Sequence, residues 1–384
     1  MTLTIGYDAK RAVRNMTGLG NYSRFVIDVM SREYPQNEYL LYTPRMSDNP
    51  RLAPILEREN VKVCLPQSWS GARLGSLWRS GMGITKQLRA DGVALYHGLS
   101  NELPLNIASS GIPSVVTIHD VIYRRVLSDY KWIDRKLYDY KYGQSARNAT
   151  RIIAISECTK ADIVSDYGVD PDKIDVIYQG CSPIFKQTVE QQQIDSLTKK
   201  YGLPERYIAA VGTVQSRKNQ LLTVKALRGL PSDVKVVIVG RRMADYAPKI
   251  DECIARYGLR DRVIWIDNLT FAELPALYAG AQFSSYPSRY EGFGIPVIES
   301  ISVGTPVVAA TGSCLEEAGG PGAIYVDPDD EEGMTECCLQ LLEHQELRDK
   351  LVREGQAYIE RFNDRDFGRL TMECYRKAIA TVNS

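Results

Sequence analysis

A chain of 384 residues is too long for one ordinary hydrophobic core, so two domains are expected. Lysine plus arginine and aspartate plus glutamate both number 47, a balance that argues against nucleic-acid binding by bulk charge. No apolar run reaches the roughly 18 residues of a membrane-spanning helix, and the N-terminus enters a strand directly, without the pattern of a signal peptide. The eight cysteines lack paired metal spacing and are expected to be reduced thiols, which favours the cytoplasm or the inner face of its membrane.

Short apolar runs alternate with longer helical patterns along the chain, which indicates parallel strands buried on both faces. In the first half the predicted strands are Leu3–Tyr7, Tyr39–Tyr42, Val61–Cys64, Val93–Tyr96, Ser114–Ile118, Arg151–Ala154 and Ile174–Ile177. In the second half they are Tyr207–Val211, Lys235–Val239, Val263–Trp265, Phe283–Tyr286, Pro306–Ala309 and Ala323–Tyr325. Two such series predict two doubly wound α/β domains, 1–185 and 186–362, followed by a terminal helical segment, 363–384.

Two glycines, Gly18 and Gly20, follow the first strand and match a dinucleotide-binding fingerprint only in part. Ser23 stands where the third glycine would be, and the motif lies beyond the strand's first turn, so a dehydrogenase is disfavoured. A glycine loop that opens a helix can still approach a diphosphate or an acceptor. The alternative is a plain flexible turn.

Polar residues follow several predicted strands, at the sheet edge where ligands of such folds bind. His119 comes directly after Ser114–Ile118 and is expected to point towards a ligand hydroxyl; the alternative is a structural histidine paired with Asp120. Arg217 and Lys218 follow Tyr207–Val211, and adjacent cations there can neutralise a diphosphate. The alternative for this pair is an exposed helix cap.

The stretch 288–299, Ser-Arg-Tyr-Glu-Gly-Phe-Gly-Ile-Pro-Val-Ile-Glu, follows the strand Phe283–Tyr286. Its glycines predict a tight loop and Pro296 predicts a helix start, whose free amides suit a phosphate. Glu291 on the loop and Glu299 on the helix can accept hydrogen bonds from sugar hydroxyls. We expect Glu291 to face a transferred sugar and Glu299 a ribose, so the stretch predicts a nucleotide-sugar site.

These motifs, taken in order, resemble the retaining glycosyltransferases of family 4, also called group 1. The resemblance is carried by the Glu-x7-Glu stretch, by Gly304-Thr305-Pro306-Val307-Val308, by Gly18 to Ser23, by Thr117 to Asp120, by Gly212 to Asn219 and by Glu316-Glu317-Ala318-Gly319. It implies the GT-B fold, in which two Rossmann-like domains face each other across a cleft and a C-terminal helix crosses back to the first domain.

The resemblance also implies roles for the candidate residues. His119 and the loop Gly18–Gly20 contribute to the donor site, and Arg217 and Lys218 stabilise the departing diphosphate. The loop amides share that task, on Gly292, Phe293, Gly294 and Ile295. The reaction would be a front-face displacement with retention, needing no metal or other cofactor. Many members have arginine in place of Thr213 and glutamate in place of Arg217, so the charge is relocated here.

The motif Gly-Thr…Arg-Lys-Asn resembles the motif of a subgroup that contains many O-antigen and capsule mannosyltransferases. This resemblance suggests GDP-mannose as donor and a glycan or lipid-linked glycan as acceptor. Two alternatives stay open: a non-hydrolysing nucleotide-sugar 2-epimerase and a non-catalytic sugar-nucleotide-binding subunit. Donor hydrolysis by the pure protein separates the last from the enzymes.

Two other patterns have competing interpretations. The turns at 170–172 and 327–329 mimic a metal-binding Asp-x-Asp motif but are expected to be loop residues. A stretch of interleaved aromatic and cationic residues suggests contact with an anionic membrane, and a mobile acceptor-side loop is the alternative. Its members are Trp69, Arg73, Trp78, Arg79, Lys86 and Arg89.

Overall fold

The computed structural model describes residues 2–67 and 75–383. The chain divides into two compact units. The first unit comprises Met1–Arg124, Tyr130–Gln179 and Asn363–Ser384, and the second comprises Arg125–Asp129 and Gly180–Phe362. Within the described residues, no helix is long and apolar enough to cross a membrane.

The first unit is built on a sheet of seven parallel strands in the order β3-β2-β1-β4-β5-β6-β7. The strands are β1 Thr4–Asp8, β2 Glu38–Tyr42, β3 Val61–Cys64, β4 Leu95–Gly98, β5 Ser114–Ile118, β6 Arg151–Ala154 and β7 Ile174–Val176. The helices between them are α1 Lys10–Arg14, α2 Gly18–Glu33, α3 Ala53–Leu56, α4 Gly75–Ser80, α5 Met82–Ala90, α6 Ile122–Arg125, α7 Trp132–Asn148 and α8 Glu157–Tyr167. The central strand β5 is buried along its whole length, which explains its unbroken apolar sequence.

The second unit is built on six parallel strands in the order β10-β9-β8-β11-β12-β13. The strands are β8 Tyr207–Val211, β9 Lys235–Val239, β10 Val263–Ile266, β11 Phe283–Tyr286, β12 Val307–Ala310 and β13 Ala323–Val326. The helices are α9 Gln191–Tyr201, α10 Gln220–Ala226, α11 Ala247–Arg256, α12 Leu274–Ala279, α13 Ile295–Ser302, α14 Leu315–Gly319, α15 Glu331–Glu343 and α16 Gln345–Ile359. The two doubly wound, Rossmann-like α/β domains predicted from the sequence are therefore confirmed.

The last helix, α17 Asp364–Asn383, packs within the first unit against α2, β4, β5 and β6. Its Phe367 ring meets the Phe25 ring at 4.8 Å. Its Tyr375 hydroxyl lies 2.7 Å from Nδ1 of His97, and Nε2 of His97 lies 2.8 Å from the Thr117 hydroxyl. His97 is fully buried in this network, so its place in the fold is structural.

The second unit begins at Gly180, earlier than the boundary after residue 185 that the sequence suggested. Gly180 lies against the Phe362 backbone, where an added Cβ would stand 2.3 Å from the carbonyl oxygen. The Phe185 ring packs on Phe271 and Tyr278, at 5.7 and 6.3 Å. These contacts place 180–185 with the second unit because their apolar partners lie there.

Candidate active site

The second sheet reverses its strand order between β8 and β11, which are parallel neighbours. In open α/β sheets ligands bind at the carboxyl ends of strands, at such a reversal. The turn that follows β8 carries Arg217 and Lys218, and the loop that follows β11 carries Glu291. The topology therefore brings the predicted cation pair and the first predicted glutamate to one place.

These three side chains form a compact ion cluster, which we call the 217–218–291 triad. Oε2 of Glu291 lies 2.6 Å from Nη1 of Arg217, and its Oε1 lies 2.6 Å from Nζ of Lys218. Arg217 also donates a 2.8 Å hydrogen bond to the carbonyl of Tyr290. Each of the three side chains is between 10% and 14% exposed. Arg217 and Lys218 are therefore largely buried and ion-paired, and they do not form an exposed helix cap.

Tyr286 supports the triad from the end of β11. The Lys218 ammonium lies 4.6 Å from the centre of the Tyr286 ring and donates to its hydroxyl. That hydroxyl in turn donates to Oε1 of Glu291 at 3.2 Å. Tyr286 is not among the predicted site residues, although it is the last residue of a predicted strand, where ligands of such folds bind.

The charge state of the triad follows from burial and proximity. Burial alone would raise the pKa of Glu291, but the charges of Lys218 and Arg217 outweigh it and lower that pKa to about 2. Burial lowers the pKa of Lys218, and Glu291 opposes that shift. With the guanidinium always charged, one carboxylate faces two cations. The triad keeps an excess of positive charge, which an anionic ligand can neutralise.

The glycine loop after Glu291 leads into α13, with Pro296 in its first turn. A Cβ on Gly294 would lie 2.8 Å from Cβ of Ala318, so only glycine allows the loop to pack this closely on α14. The Cys314 thiol lies 3.1 Å from the carbonyl oxygen of Glu291. The loop that carries the predicted phosphate-binding amides thus packs against α14 and Cys314, and no sequence motif marks Cys314.

Phe293 contributes to this loop through its backbone. Its ring is buried and meets the Phe362 ring at right angles, 5.4 Å away. Its carbonyl oxygen lies 2.5 Å from the Cys314 thiol. The other residues predicted to hold a diphosphate through their amides, Gly292, Gly294 and Ile295, lie in the same short segment.

Glu299 lies on α13 in an environment opposite to that of Glu291. Glu299 is only 8% exposed, and this burial raises the pKa of its carboxyl group to about 8. Within the described part of the chain, its carboxyl group has no hydrogen bond or ion pair and shares none with the triad. The two glutamates of the motif therefore differ in protonation at neutral pH, Glu291 ionised and Glu299 largely protonated.

His119 lies in the first unit, directly after β5. Its Nε2–H donates to the carbonyl of Leu99 at 2.9 Å, and its backbone N–H donates to Oδ1 of Asn101 at 2.7 Å. Because a carbonyl only accepts, the proton is on Nε2 and Nδ1 carries the free lone pair. Burial lowers the pKa of His119 to about 4, so the ring is neutral. Its ring partner is Leu99, which disfavours the proposed pairing with Asp120.

Gly18 and Gly20 lie in the first turn of α2, and not in a loop before it as the sequence suggested. A Cβ on Gly20 would lie 1.8 Å from the carbonyl oxygen of Asn15, which explains the glycine, whereas Gly18 has open space there. Tyr22 of the same helix meets the His119 ring edge-on at 4.5 Å. The first unit thus brings the start of α2 and His119 together.

Other candidate motifs have structural roles. Asp170 and Asp327 each accept a hydrogen bond from the backbone N–H two residues later, at 2.9 and 2.8 Å, as expected for turns. Among residues 2–67 and 75–383 no cluster of side chains is suited to a metal ion. Trp78 and Arg79 are buried, Arg79 in an ion pair with Asp8 at 2.7 Å. Lys86 and Arg89 of that stretch are exposed, and Trp69 and Arg73 lie outside the described residues.

Asn101 is expected to stabilise the His119 backbone measurably. It is 3% exposed and adopts a left-handed φ of 63°. Asn101→Gly tolerates this φ but removes the acceptor of a buried N–H, so the free energy of unfolding should fall by about 1–3 kcal/mol. Asn101→Ala should lose roughly 1–2 kcal/mol more because of its Cβ. Chemical denaturation measures both, and a glycine variant as stable as the parent would contradict the assignment.

Two models of known protein families match the sequence of this chain. The Glycosyltransferase Family 4 model matches residues 26–183, and the Glycosyl transferases group 1 model matches residues 193–358. The second match contains the whole triad. The chain is a glycosyltransferase with the GT-B fold.

Among curated relatives, the chain is 31% identical to the O-antigen chain mannosyltransferase RfbU of Salmonella typhimurium over 56% of this chain and 57% of the relative. It is 27% identical to the O-antigen chain mannosyltransferase B of Escherichia coli over 73% of this chain and 74% of the relative. The match thus spans little more than half the length of the first relative. Among solved structures, Anabaena Alr3699/HepE in complex with UDP and glucose has a TM-score of 0.74 at 18% identity, covering 97% of this chain and 98% of that one.

Proposed function

We propose that the chain transfers mannose from GDP-mannose, with retention, to a hydroxyl of a glycan or lipid-linked glycan in surface polysaccharide synthesis at the cytoplasmic side. The triad carries the proposal. Two cations oriented by one carboxylate lie where the strand order reverses between β8 and β11. This arrangement suits a leaving diphosphate, whose negative charge grows as the bond to the sugar breaks. Both sequence relatives are named as mannosyltransferases of O-antigen chains, which supports the sugar and the acceptor class.

Retention through a front-face displacement is favoured by the state of Glu291. A carboxylate with a pKa of about 2, held in two ion pairs, is a poor nucleophile. In the proposed reaction the leaving phosphate takes the acceptor proton while Arg217 and Lys218 hold its charge. Glu291 orients both cations and retains lone pairs for sugar hydroxyls.

His119 is proposed to accept a hydrogen bond from a donor-sugar hydroxyl. Its Nε2–H is taken by Leu99, so only the Nδ1 lone pair is offered, and a neutral ring suits a hydroxyl donor. Glu299 is proposed to hold the ribose. No metal is part of the proposal, because Arg217, Lys218 and the loop amides supply the positive charge that a cation would otherwise provide.

A donor panel tests the proposed function directly. The purified chain is offered nucleoside-diphosphate mannose, glucose and galactose in EDTA, with thermal shift, donor consumption and the anomeric configuration of the product measured. We expect GDP-mannose to give the largest shift and the turnover to survive chelation with retention. Conversion of the donor to a nucleotide-sugar inverted at C2 would indicate an epimerase, and no consumption of any donor by pure protein would indicate a non-catalytic subunit. Activity restored only by Mn²⁺ or Mg²⁺ would refute metal independence.

A further inference from the structure

Helix α7, Trp132–Asn148, is apolar on two opposite faces. Its inner face packs into the first unit: the rings of Tyr138 and Tyr142 lie 5.9 and 5.6 Å from that of Tyr123. Gly143, Ser145 and Ala146 of the same helix are buried. The core therefore accounts for one apolar face and leaves the other unexplained.

The outer face carries four large apolar side chains that are strongly exposed: Trp132 at 66%, Ile133 at 69%, Leu137 at 47% and Tyr140 at 56%. With 3.6 residues per turn, these positions and Lys136 fall within about 140° of the helix circumference. We call this surface the outer arc. Within the described residues Trp132 and Ile133 are the most exposed large hydrophobic side chains. Single exposed apolar residues are ordinary, but a continuous patch indicates an interaction site.

The charged residues in and beside the outer arc are three cations and two carboxylates, Asp134 and Asp139. Lys131 and Lys136 are exposed and Arg135 is half-buried. Among the residues that the structure describes, none of these three pairs with a carboxylate. The neighbouring Asp139 is taken up by an ion pair with Arg124. The arc thus offers an apolar stripe with free positive charge beside it.

We propose that the outer arc docks the protein on the surface of an anionic lipid bilayer. Trp132, Ile133 and Leu137 would enter the boundary between headgroups and acyl chains, with Tyr140 at the headgroups. Lys131 and Lys136 would meet the lipid phosphates, each adding about 1 kcal/mol of attraction. The site is separate from the stretch around Trp78 that the sequence suggested, whose described aromatic residue, Trp78, is buried.

Charge favours a bilayer over a second copy of the chain. In a two-fold pairing of the arc, Lys131 and Lys136 would approach their own copies, and like charges repel. The carboxylate of Asp134, on the same helix, lies about 60° beyond the edge of the arc. An anionic bilayer offers negative charge for the two lysines and an apolar layer into which the exposed side chains of the arc can insert. The proposal is compatible with a lipid-linked acceptor, but it does not rest on the donor or the reaction.

The test measures co-sedimentation of the full chain with vesicles of phosphatidylcholine, with and without phosphatidylglycerol. We expect binding to the anionic vesicles, weakened at least about tenfold in the double variant Trp132→Ser/Ile133→Ser. The matched control is Leu105→Ser, an apolar residue that is 49% exposed elsewhere in the first unit, which should bind like the parent. Because all three side chains are exposed, the thermal midpoints should remain close to that of the parent.

Three outcomes would overturn the proposal. The first is failure of the parent protein to bind anionic vesicles, and the second is binding of the double variant as strong as that of the parent. A parent that is dimeric by light scattering, with a monomeric double variant, would assign the arc to a second copy instead. Turnover of a water-soluble acceptor by the double variant should equal that of the parent, which separates docking from the chemistry.

Discussion

Glu291→Gln is expected to reduce sugar transfer by about 10²-fold or more while the affinity for the bare nucleoside diphosphate stays unchanged or rises. The carboxylate holds both Arg217 and Lys218 at 2.6 Å. Glutamine keeps the shape but loses the negative charge, so the two cations are left for the diphosphate alone. Turnover falls because neither the cations nor the sugar hydroxyls keep their orientation. Isothermal titration with GDP and a transfer assay with the full donor measure the two effects separately.

Lys218→Ala is the matched control, because it removes a cation from the same triad. It should weaken nucleoside-diphosphate affinity by about 1.5–3 kcal/mol, the scale of a hydrogen bond to a charged group. Opposite changes in diphosphate affinity would therefore distinguish the carboxylate from the cation. If Glu291→Gln weakened GDP binding as much as Lys218→Ala does, Glu291 would belong to diphosphate binding and not to the sugar.

Glu291→Gln should also be less stable than the parent in the absence of ligand. The variant leaves two nearly buried like charges without a counter-ion, and breaking a buried ion pair costs about 3–5 kcal/mol. GDP supplies the missing negative charge, so it should raise the thermal midpoint of the variant more than that of the parent. This ligand rescue would not be seen if the variant were merely misfolded.

The strand pattern was predictable because burial on both faces leaves its mark on every residue of a strand. All thirteen predicted strands exist, and all but the fourth lie within one residue of their predicted bounds. The fourth, predicted at Val93–Tyr96, runs instead from Leu95 to Gly98, because β4 continues in register with β1 up to His97. Position after a strand was likewise enough to place His119, Arg217 and Lys218 at sheet edges.

Contacts distant in sequence were not predictable. The ion pairs of Glu291 with Arg217 and Lys218 join two loops, and their adjacency depends on β8 and β11 being neighbours in the sheet. Cys314 and Tyr286 act through contacts that no local motif records. The buried state of Glu299 also depends on packing around α13, although its spacing from Glu291 is plain in the sequence.

Glu299→Gln is the second variant with a large expected effect, and its stability relative to the parent should depend on pH. Burial raises the pKa of Glu299 from 4.5 to about 8, so between these values the folded protein holds a proton that the unfolded chain has lost. Stability therefore falls as pH rises through this window, and the full penalty is present above about pH 8. Glutamine removes the penalty. Its stability advantage in urea denaturation should grow by about 2–3 kcal/mol between about pH 6 and pH 9.

The same variant should bind nucleotides more weakly. Ribose is common to GDP and GDP-mannose, so Glu299→Gln should weaken both, whereas Glu291→Gln should spare GDP. If the ionised carboxylate accepts the ribose hydroxyls, GDP affinity of the parent should rise as pH passes about 8, and this rise should be missing in Glu299→Gln. Titration calorimetry on either side of that pH measures it. A variant that binds GDP like the parent, at any pH, would show that Glu299 is a buried acid retained for packing and would remove the ribose assignment.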